Sequence, residues 1–418
     1  MKERLYFEDA WIKAFTARVE AVKVENGGTW LRLSQSAFYP EGGGQPGDRG
    51  QLNLGEFSYP VTDTQSDLEG QVWHQAENPS GAPPLRPGDQ VRGELDWARR
   101  HDHMQQHTGE HILAYCVWSL YGGYVHGLHI GQEESSIDIS LPGGKTRLGR
   151  EQLEDIETLA NRVIARDDTI ACRFPDAEEI GHLPLRKMPG EHDEIRVVLM
   201  GDYEGVACGG THLNRTGQAG VVKILRDQSA RGKLRLFFLS GLRAARHYQA
   251  CWRALDEASS LLNAPHFQVP RAAHAMIEKA GKLDFDLVAL RRKMALSRLP
   301  CLIGRAELLA DGTRLVAESL PETEAPALDA LASALAEEPG VTALLCAPQG
   351  DKALFTFARA DGTGADLAAL MRDAGIRGGG KPTFARGGAM DTSLLDVAVK
   401  LARETAGKAS DRQNTGGV

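Results

Sequence analysis

Two histidines stand four residues apart in the run His107-Thr108-Gly109-Glu110-His111. On a helix that interval points both imidazoles the same way, so they can share one metal ion. Far downstream, Cys208-Gly209-Gly210-Thr211-His212 sets a thiol and an imidazole at the same interval. A thiolate with imidazoles suits zinc best among the common metals. The glycines beside Cys208 let the backbone turn tightly around an ion. A lone pair of histidines at this spacing is often coincidence. The four residues together, His107, His111, Cys208 and His212, predict one zinc ion per chain.

The same run also fits His-x-x-Glu-His, the inverted zinc-peptidase pattern, in which the glutamate activates a metal-bound water. That chemistry needs a carboxylate as third ligand. Here the remaining ligands are a cysteine and a histidine, which counts against a peptidase.

These side chains need a scaffold of some size. At 418 residues the chain is too long for one ordinary core, and two or three domains are expected. Its 42% hydrophobic and 25% charged residues are those of a globular protein. No apolar run approaches bilayer length, and the mixed-charge N-terminus lacks a signal-peptide core, so no membrane partner and a cytoplasmic location are expected. Six cysteines are too sparse for a disulfide framework. Cys116, Cys172, Cys251, Cys301 and Cys346 read as buried thiols. A net charge of −8 argues against a general nucleic-acid binder, without excluding local basic patches.

The fold class expected is α+β, in four parts. Residues 1–97 alternate in short runs (Ala17–Val22, Trp30–Leu33, Gln90–Leu95) and predict a small antiparallel β-barrel. They enclose a glycine-rich loop, Phe38–Gly50, that no strand or helix can absorb. Residues 98–246 predict an α+β zinc domain: a helix from about His103, a strand at Ser135–Ile139, a helix Arg150–Arg166, and strands near Ile195–Met200, Val221–Leu225 and Leu234–Phe238. Residues 247–300 predict a helical, coiled linker broken at Asn263-Ala264-Pro265 and ended by Pro300. Met276, Ala280, Leu283, Leu287, Leu290 and Met294 form its seam. Residues 301–418 alternate strand and helix, an α/β pattern. They carry a second glycine cluster, Gly378–Gly388, and a tail after Gly407 that reads as disordered.

The metal motif, the segment Val198–Gly217, the Phe38–Gly50 loop and the Arg377–Pro382 cluster together resemble the editing domain and the DHH-associated C-terminal domain of alanyl-tRNA synthetases. In particular the chain is similar to the long form of AlaX-type trans-editing proteins. The resemblance covers nearly the whole chain in order. It begins at the barrel, which leads us to expect no ATP-dependent activation. It implies hydrolysis of serine, and in some members glycine, from tRNA(Ala) at a zinc site, with mischarged tRNA(Ala) as partner. It also implies a homodimer through the C-terminal region.

Under that resemblance Glu110 stands where the synthetases commonly carry threonine. It can serve as general base, hydrogen-bond the substrate, or simply orient a ligand histidine. His129 first and His126 second are candidates for contacting substrate, with a structural histidine as the alternative. Thr211 donates to the substrate or caps its turn. His101 and His103 read as solvated or tRNA-facing. Candidate phosphate contacts are Arg377, Lys381 and Arg386 beside the second glycine cluster, and Arg231 and Lys233, with Lys223, Arg226 and Arg235 behind them. A plain turn and a solvated strand face are the competing readings. The first glycine loop lacks the lysine-serine ending of a P-loop, so no nucleotide cofactor is expected. Three classes stay open: a tRNA-editing esterase, a zinc peptidase, and a non-catalytic RNA-binding module with structural zinc. Under the resemblance, zinc is either catalytic or positions the tRNA end.

Overall fold

The computed structural model describes residues 4–25, 27–186, 195–361 and 364–415. They divide into two compact units, Met1–Glu257 and Ala258–Val418.

The first unit begins with a short helix, α1 (Leu5–Glu8), and six strands: β1 (Ala14–Glu25), β2 (Gly28–Leu33), β3 (Gly50–Leu54), β4 (Phe57–Ser66), β5 (Val72–Ala76) and β6 (Gln90–Leu95). They close into an antiparallel barrel in the order β1-β2-β5-β4-β3-β6. The two-residue period of the sequence explains it. Phe15, Ala17 and Val19 turn inward while Thr16, Arg18 and Glu20 face out. Closure leaves no free edge in this sheet. The glycine-rich loop spans the gap between β2 and β3, outside any regular element.

Helix α2 (Trp97–Tyr121) follows at once. It starts six residues before the expected His103, because Asp96 caps it: the Asp96 carboxylate accepts from the Arg99 amide at 3.1 Å. Gly122, with φ 62°, ends it. Ile112, Leu113, Cys116 and Val117 are fully buried, whereas Leu120 is exposed. Next come β7 (Tyr124–Ile130), β8 (Ser135–Ser140), α3 (Arg150–Arg166), β9 (Ile170–Arg173), α4 (Ala177–Ile180), β10 (Val197–Met200), β11 (Glu204–Ala207), β12 (Val222–Ala230) and β13 (Lys233–Ser240). Two antiparallel sheets result, β12-β13-β8-β7 and β11-β10-β9. Strands β7, β9 and β11 lay outside the expectation. The last two have four residues each, and β7 is broken by a register shift at Val125/Gly127, so none shows a clean alternation. Helices α2 and α3 share one core with β8, β10, β12 and β13.

Helix α5 (Gly241–Leu262) ends where Asn263 takes φ 47°, a conformation asparagine tolerates. Helix α6 (Val269–Leu296) follows. Met276, Leu283, Leu287, Leu290 and Met294 of its seam are exposed. Pro300 does not end α6; it lies in the first turn of α7 (Leu299–Gly304), where a missing N–H costs nothing.

The rest of the second unit is β14 (Glu307–Leu308), β15 (Arg314–Ser319), α8 (Ala325–Ala336), β16 (Val341–Gln349), β17 (Lys352–Arg359), α9 (Leu367–Asp373), β18 (Arg377–Lys381), β19 (Phe384–Ala389) and α10 (Leu394–Thr415). Its sheet runs β14-β15-β16-β17-β19-β18. The expected α/β pattern holds for one pair only. β15 and β16 are parallel, since α8 gives the crossover that parallel pairing needs. Short turns make β14–β15, β16–β17 and β18–β19 antiparallel, and β19 returns antiparallel to β17 after α9 and β18. Strand β16 is buried on both faces: Ala343 and Leu345 meet the core with α8, and Leu344 and Cys346 the core with α9 and α10.

Two further expectations fail. Cys172, Cys251 and Cys301 are exposed, and only Cys116 and Cys346 of the five are buried. The second glycine cluster forms the β18–β19 hairpin. Helix α10 continues past Gly407 to Thr415; the last three residues of the tail lie outside the described residues. Among the described residues no helix is long and apolar enough to cross a membrane.

Candidate metal centre

Helix α2 carries His107 and His111 on one face, with ring centroids 5.1 Å apart. The loop leaving β11 brings Cys208 and His212 against them. The Cys208 thiol sulfur lies 3.3 Å from Nε2 of His107 and 3.3 Å from Nε2 of His212. The His212 ring sits 4.4 Å from that of His107 and 4.8 Å from that of His111. One ligand atom from each of the four residues lies within 4.8 Å of all the others. A tetrahedral zinc site sets sulfur and nitrogen about 3.5 Å apart, given the usual bond lengths. Moreover, His111 Nε2 is sealed from solvent with no hydrogen-bond partner. A buried, unpartnered ring nitrogen beside a thiol and two imidazoles is what a metal ligand looks like without its ion. The donor set fits zinc.

Neighbouring groups fix the rings. The Glu110 carboxylate accepts from His111 Nδ1 at 2.8 Å, which turns Nε2 toward the cluster. Gln45, in the glycine-rich loop of the barrel, does the same for His107, accepting from Nδ1 at 2.8 Å. The same oxygen takes the Thr211 amide at 3.2 Å, while the Gln45 amide nitrogen donates to the Thr211 hydroxyl at 2.8 Å. Arg196 donates from Nη1 to the carbonyls of Cys208 (2.9 Å) and Gly210 (2.8 Å), clamping the ligand loop. Two glycines make the approach possible. A side chain on Gly210 would begin 2.2 Å from the His107 ring. Gly44 has φ +83°, and a Cβ there would lie 1.8 Å from the Leu128 carbonyl oxygen. With no side chain in the way, its own carbonyl accepts from Ile130 at 2.9 Å and fastens the loop to β7.

The charges agree with a ligand set. Burial alone would raise the Cys208 thiol, but the imidazoles of His107 and His212 hold it well below its ordinary value. Burial, then His107, pushes His212 well below the histidine range. Burial opposes a proton on His111, yet the Glu110 carboxylate outweighs it and lifts His111 to about 10. A metal at this site takes the place of that proton. Burial also works against the Glu110 charge, and His111 overcomes it, so the carboxyl stays below its usual value.

Two cavities open on the cluster, and Glu110 and His111 line both. One of about 430 Å³ is walled by Tyr6, Tyr39, Gly42, His107 and Cys208. The other, of about 530 Å³, is walled by Tyr124, His126, Arg186 and Val206. Thr211 is fully buried, its hydroxyl held by Gln45. His126 lines the second cavity; His129 is exposed on β7 and lines neither. His103 is buried rather than solvated, and His101 is half-buried, because α2 starts early enough to draw both into the fold.

Among the basic candidates, Arg231 and Gly232 form the two-residue turn between β12 and β13, with Lys233 after it. Lys223, Arg226 and Arg235 are engaged by Glu157, Glu134 and Asp138. Arg377 and Lys381 are exposed on the edge strand β18, and Arg386 pairs with Asp329 at 2.7 Å.

Gln45, Arg196 and Glu204 were not anticipated. Glu204 is fully buried beside Arg186, and burial lifts its carboxyl to about 7 despite that guanidinium. Only a polar residue amid glycines, Gln45 in Gly42–Gly47, hinted at any of them.

The family described as tRNA synthetases class II (A) matches residues 4–99, and the threonyl and alanyl tRNA synthetase second additional domain matches residues 195–237. The second match contains Cys208 and His212. Alanine–tRNA ligase of Halorubrum lacusprofundi is 31% identical over 96% of this chain and 43% of its own length. That of Pyrococcus abyssi is 31% identical over 95% and 43%. The chain therefore spans less than half the length of the curated relatives it matches. Among solved structures, the C-Ala domain from Aquifex aeolicus alanyl-tRNA synthetase is 23% identical, covering 24% of this chain and 97% of that one with a TM-score of 0.23.

Proposed function

This chain is related to the alanyl-tRNA synthetases and their editing domains, and on that footing we propose that it is a zinc-dependent deacylase acting in trans on mischarged tRNA(Ala). Its substrate in this reading is the ester of Ser-tRNA(Ala), with Gly-tRNA(Ala) second. The observation that carries the reading is the convergence of His107, His111, Cys208 and His212 on a cleft, within a chain of which 96% aligns with part of an alanine–tRNA ligase.

His107, His111, Cys208 and His212 would hold the zinc. Bound there, it supplies positive charge that either acidifies a water or fixes the tRNA end. Glu110 holds His111 and, lining both cavities, stands where a carboxylate can take a proton from water. Gln45 keeps His107 and Thr211 in register. His126 is better placed than His129 to meet the amino acid, since it shares a cavity with Glu110. An aminoacyl ester is already activated, so positioning and exclusion of bulk water supply much of the remaining barrier reduction. Arg377, Lys381, Arg231 and Lys233 are the proposed phosphate contacts, with Arg386 less free because of Asp329. The exposed α6 seam is where we expect two chains to pair.

A peptidase is the weaker reading. It needs a carboxylate ligand, and the nearby carboxylates are spoken for: Glu110 by His111 and Glu204 by Arg186. The deciding experiment measures release of serine from Ser-tRNA(Ala), beside correctly charged Ala-tRNA(Ala), with zinc-loaded protein. Rapid loss of serine with alanine spared is expected. No hydrolysis at a verified one zinc per chain would leave a non-catalytic RNA-binding protein. Glu110→Gln separates the roles of that residue: lost turnover with zinc retained marks a proton acceptor, whereas lost zinc marks a positioning residue.

A further inference from the structure

A third cavity of the first unit, about 910 Å³, lies at the start of α2, where the metal cleft does not reach. His103 lines it one helical turn before His107, about 6 Å along the axis. The glycine-rich loop separates the two spaces: Gln45 bonds His107 on one side, and Pro46 lines this cavity on the other.

Its walls combine three kinds of group. The first is cationic. Arg49, Arg99, Arg243 and Arg246 face the cavity, against Asp102 and Glu133. Asp102 is already taken by Arg243, at 2.8 and 2.6 Å, and Arg99 donates to the Gly47 carbonyl at 3.1 Å. The side chains of Arg49 and Arg246 have no hydrogen-bond or ion-pair partner among the described residues. In a chain of net charge −8, two unpaired arginines on one cavity are a local reversal of sign. The second kind is aromatic: Trp97 and His101 line the cavity, their ring centroids 6.0 Å apart, with the Lys13 ammonium 4.7 Å from the Trp97 centroid. The third is His103, 2% exposed, whose Nδ1 is sealed off without a partner. Burial, reinforced by the surrounding arginines, keeps it uncharged, down to about 3. A neutral buried imidazole offers a hydrogen bond to an uncharged polar group.

We propose that this cavity binds an unpaired nucleotide, its phosphate on Arg49 and Arg246, its base on Trp97 and its hydroxyl or base edge on His103. Phosphate takes the free guanidiniums, and every base has a face for an aromatic wall. The volume is that of a small-molecule site. Two sources share this chemistry, a free mononucleotide and the single-stranded 3′ end of a tRNA whose terminal ester enters the metal cleft. The second source rests on the proposed deacylase reading; the nucleotide chemistry does not.

The test titrates labelled AMP, labelled uncharged tRNA(Ala), and the same tRNA trimmed of its single-stranded 3′ nucleotides against the full chain. Arg49→Glu and Arg246→Glu are compared with wild type. Both side chains are exposed and unpaired, so folding is not expected to confuse the result, and Arg→Lys at each position restores the charge. For intact tRNA, affinity is expected to fall about tenfold in the double variant. The slope of log affinity on log salt becomes shallower by about 0.7 for each phosphate no longer neutralised. Trimmed tRNA should ignore the substitutions, and on Ser-tRNA(Ala) KM should rise more than kcat falls. AMP binding that alone responds assigns the cavity to a free mononucleotide. Indifference of both AMP and intact tRNA overturns the proposal, as does an equal loss for trimmed tRNA, which would put the arginines on duplex backbone. The two readings fail separately. Arginine-dependent tRNA binding without deacylation removes the enzyme and keeps the cavity; deacylation with binding and KM indifferent to both arginines does the reverse.

Discussion

The two glycine clusters, Phe38–Gly50 and Arg377–Gly388, look alike in composition and fold into opposites. The first is an irregular loop, one of whose tight glycines, Gly44, meets the backbone of β7 across 84 residues of chain; the loop carries Gln45 to the candidate metal ligands. The second is a hairpin whose tight glycines meet near neighbours in the chain: Gly378 and Gly380 the partner strand, and Gly387 also Ile376 and the Met371 sulfur. Glycine thus marks close backbone approach in both, but what approaches sets the consequence. In the first, one residue couples the barrel to a candidate active site. In the second, the approach stays local and the outer strand remains open to solvent.

The largest expected effect comes from disrupting the first of these approaches. Gly44→Ala combines a positive φ with a clash against the Leu128 carbonyl, and should cost the first unit about 4 kcal/mol together with its capacity to bind zinc. Denaturant unfolding and zinc content on the full chain check it. Wild-type stability with one zinc per chain would erase the contrast between the clusters.

Acid should act next, and on the first unit. His74 anchors the loop's entry through the Ser36 hydroxyl at 2.7 Å, and burial lowers it to about 4. A depressed histidine binds its proton in the unfolded chain first, so its stabilisation is present above about pH 6.5 and is lost as pH falls toward 4. The full shift is worth about 3 kcal/mol, and buried His103 adds in the same direction. The unfolding midpoint of the first unit should fall across that window, and His74→Gln should flatten its slope. An unchanged slope in that variant would exonerate His74.

Gln45→Leu keeps the loop's bulk and removes its hold on His107 and Thr211. Zinc affinity should drop about 10- to 100-fold, measured by competition with a chelating dye. An unaltered affinity would make the loop a spectator. The smallest effect belongs to the second cluster. Gly379 has nothing within 4 Å of where a Cβ would stand, so Gly379→Ala should shift stability by no more than about 0.5 kcal/mol. A larger change would mean that the position is not open, and would remove the contrast between the clusters.

The pattern of residue types was enough for the local facts. Alternation announced three of the six barrel strands, β1, β2 and β6, because inward and outward faces must differ in polarity every second residue. Four-residue spacing and ligand chemistry announced His107, His111, Cys208 and His212, because ligand chemistry and helical geometry are properties of a few neighbouring residues. Helix α3 appeared with the expected ends, Arg150 and Arg166, for the same reason. The early start of α2 could have been taken from Asp96, but the aromatic and histidine run after it has no apolar stripe to signal a helix.

Tertiary structure decided what each group faces. Glu110 was placed on His111 rather than left free, Thr211 was turned onto Gln45, and His126 rather than His129 was brought to a cavity. Arg196, twelve residues before Cys208, became the clamp of the ligand loop only once β10 and β11 had paired. Each of these depends on chain segments distant in sequence closing within a few ångströms. Local periodicity carries no record of such closures, because they are selected by the packing of whole elements and not by any one residue's preference.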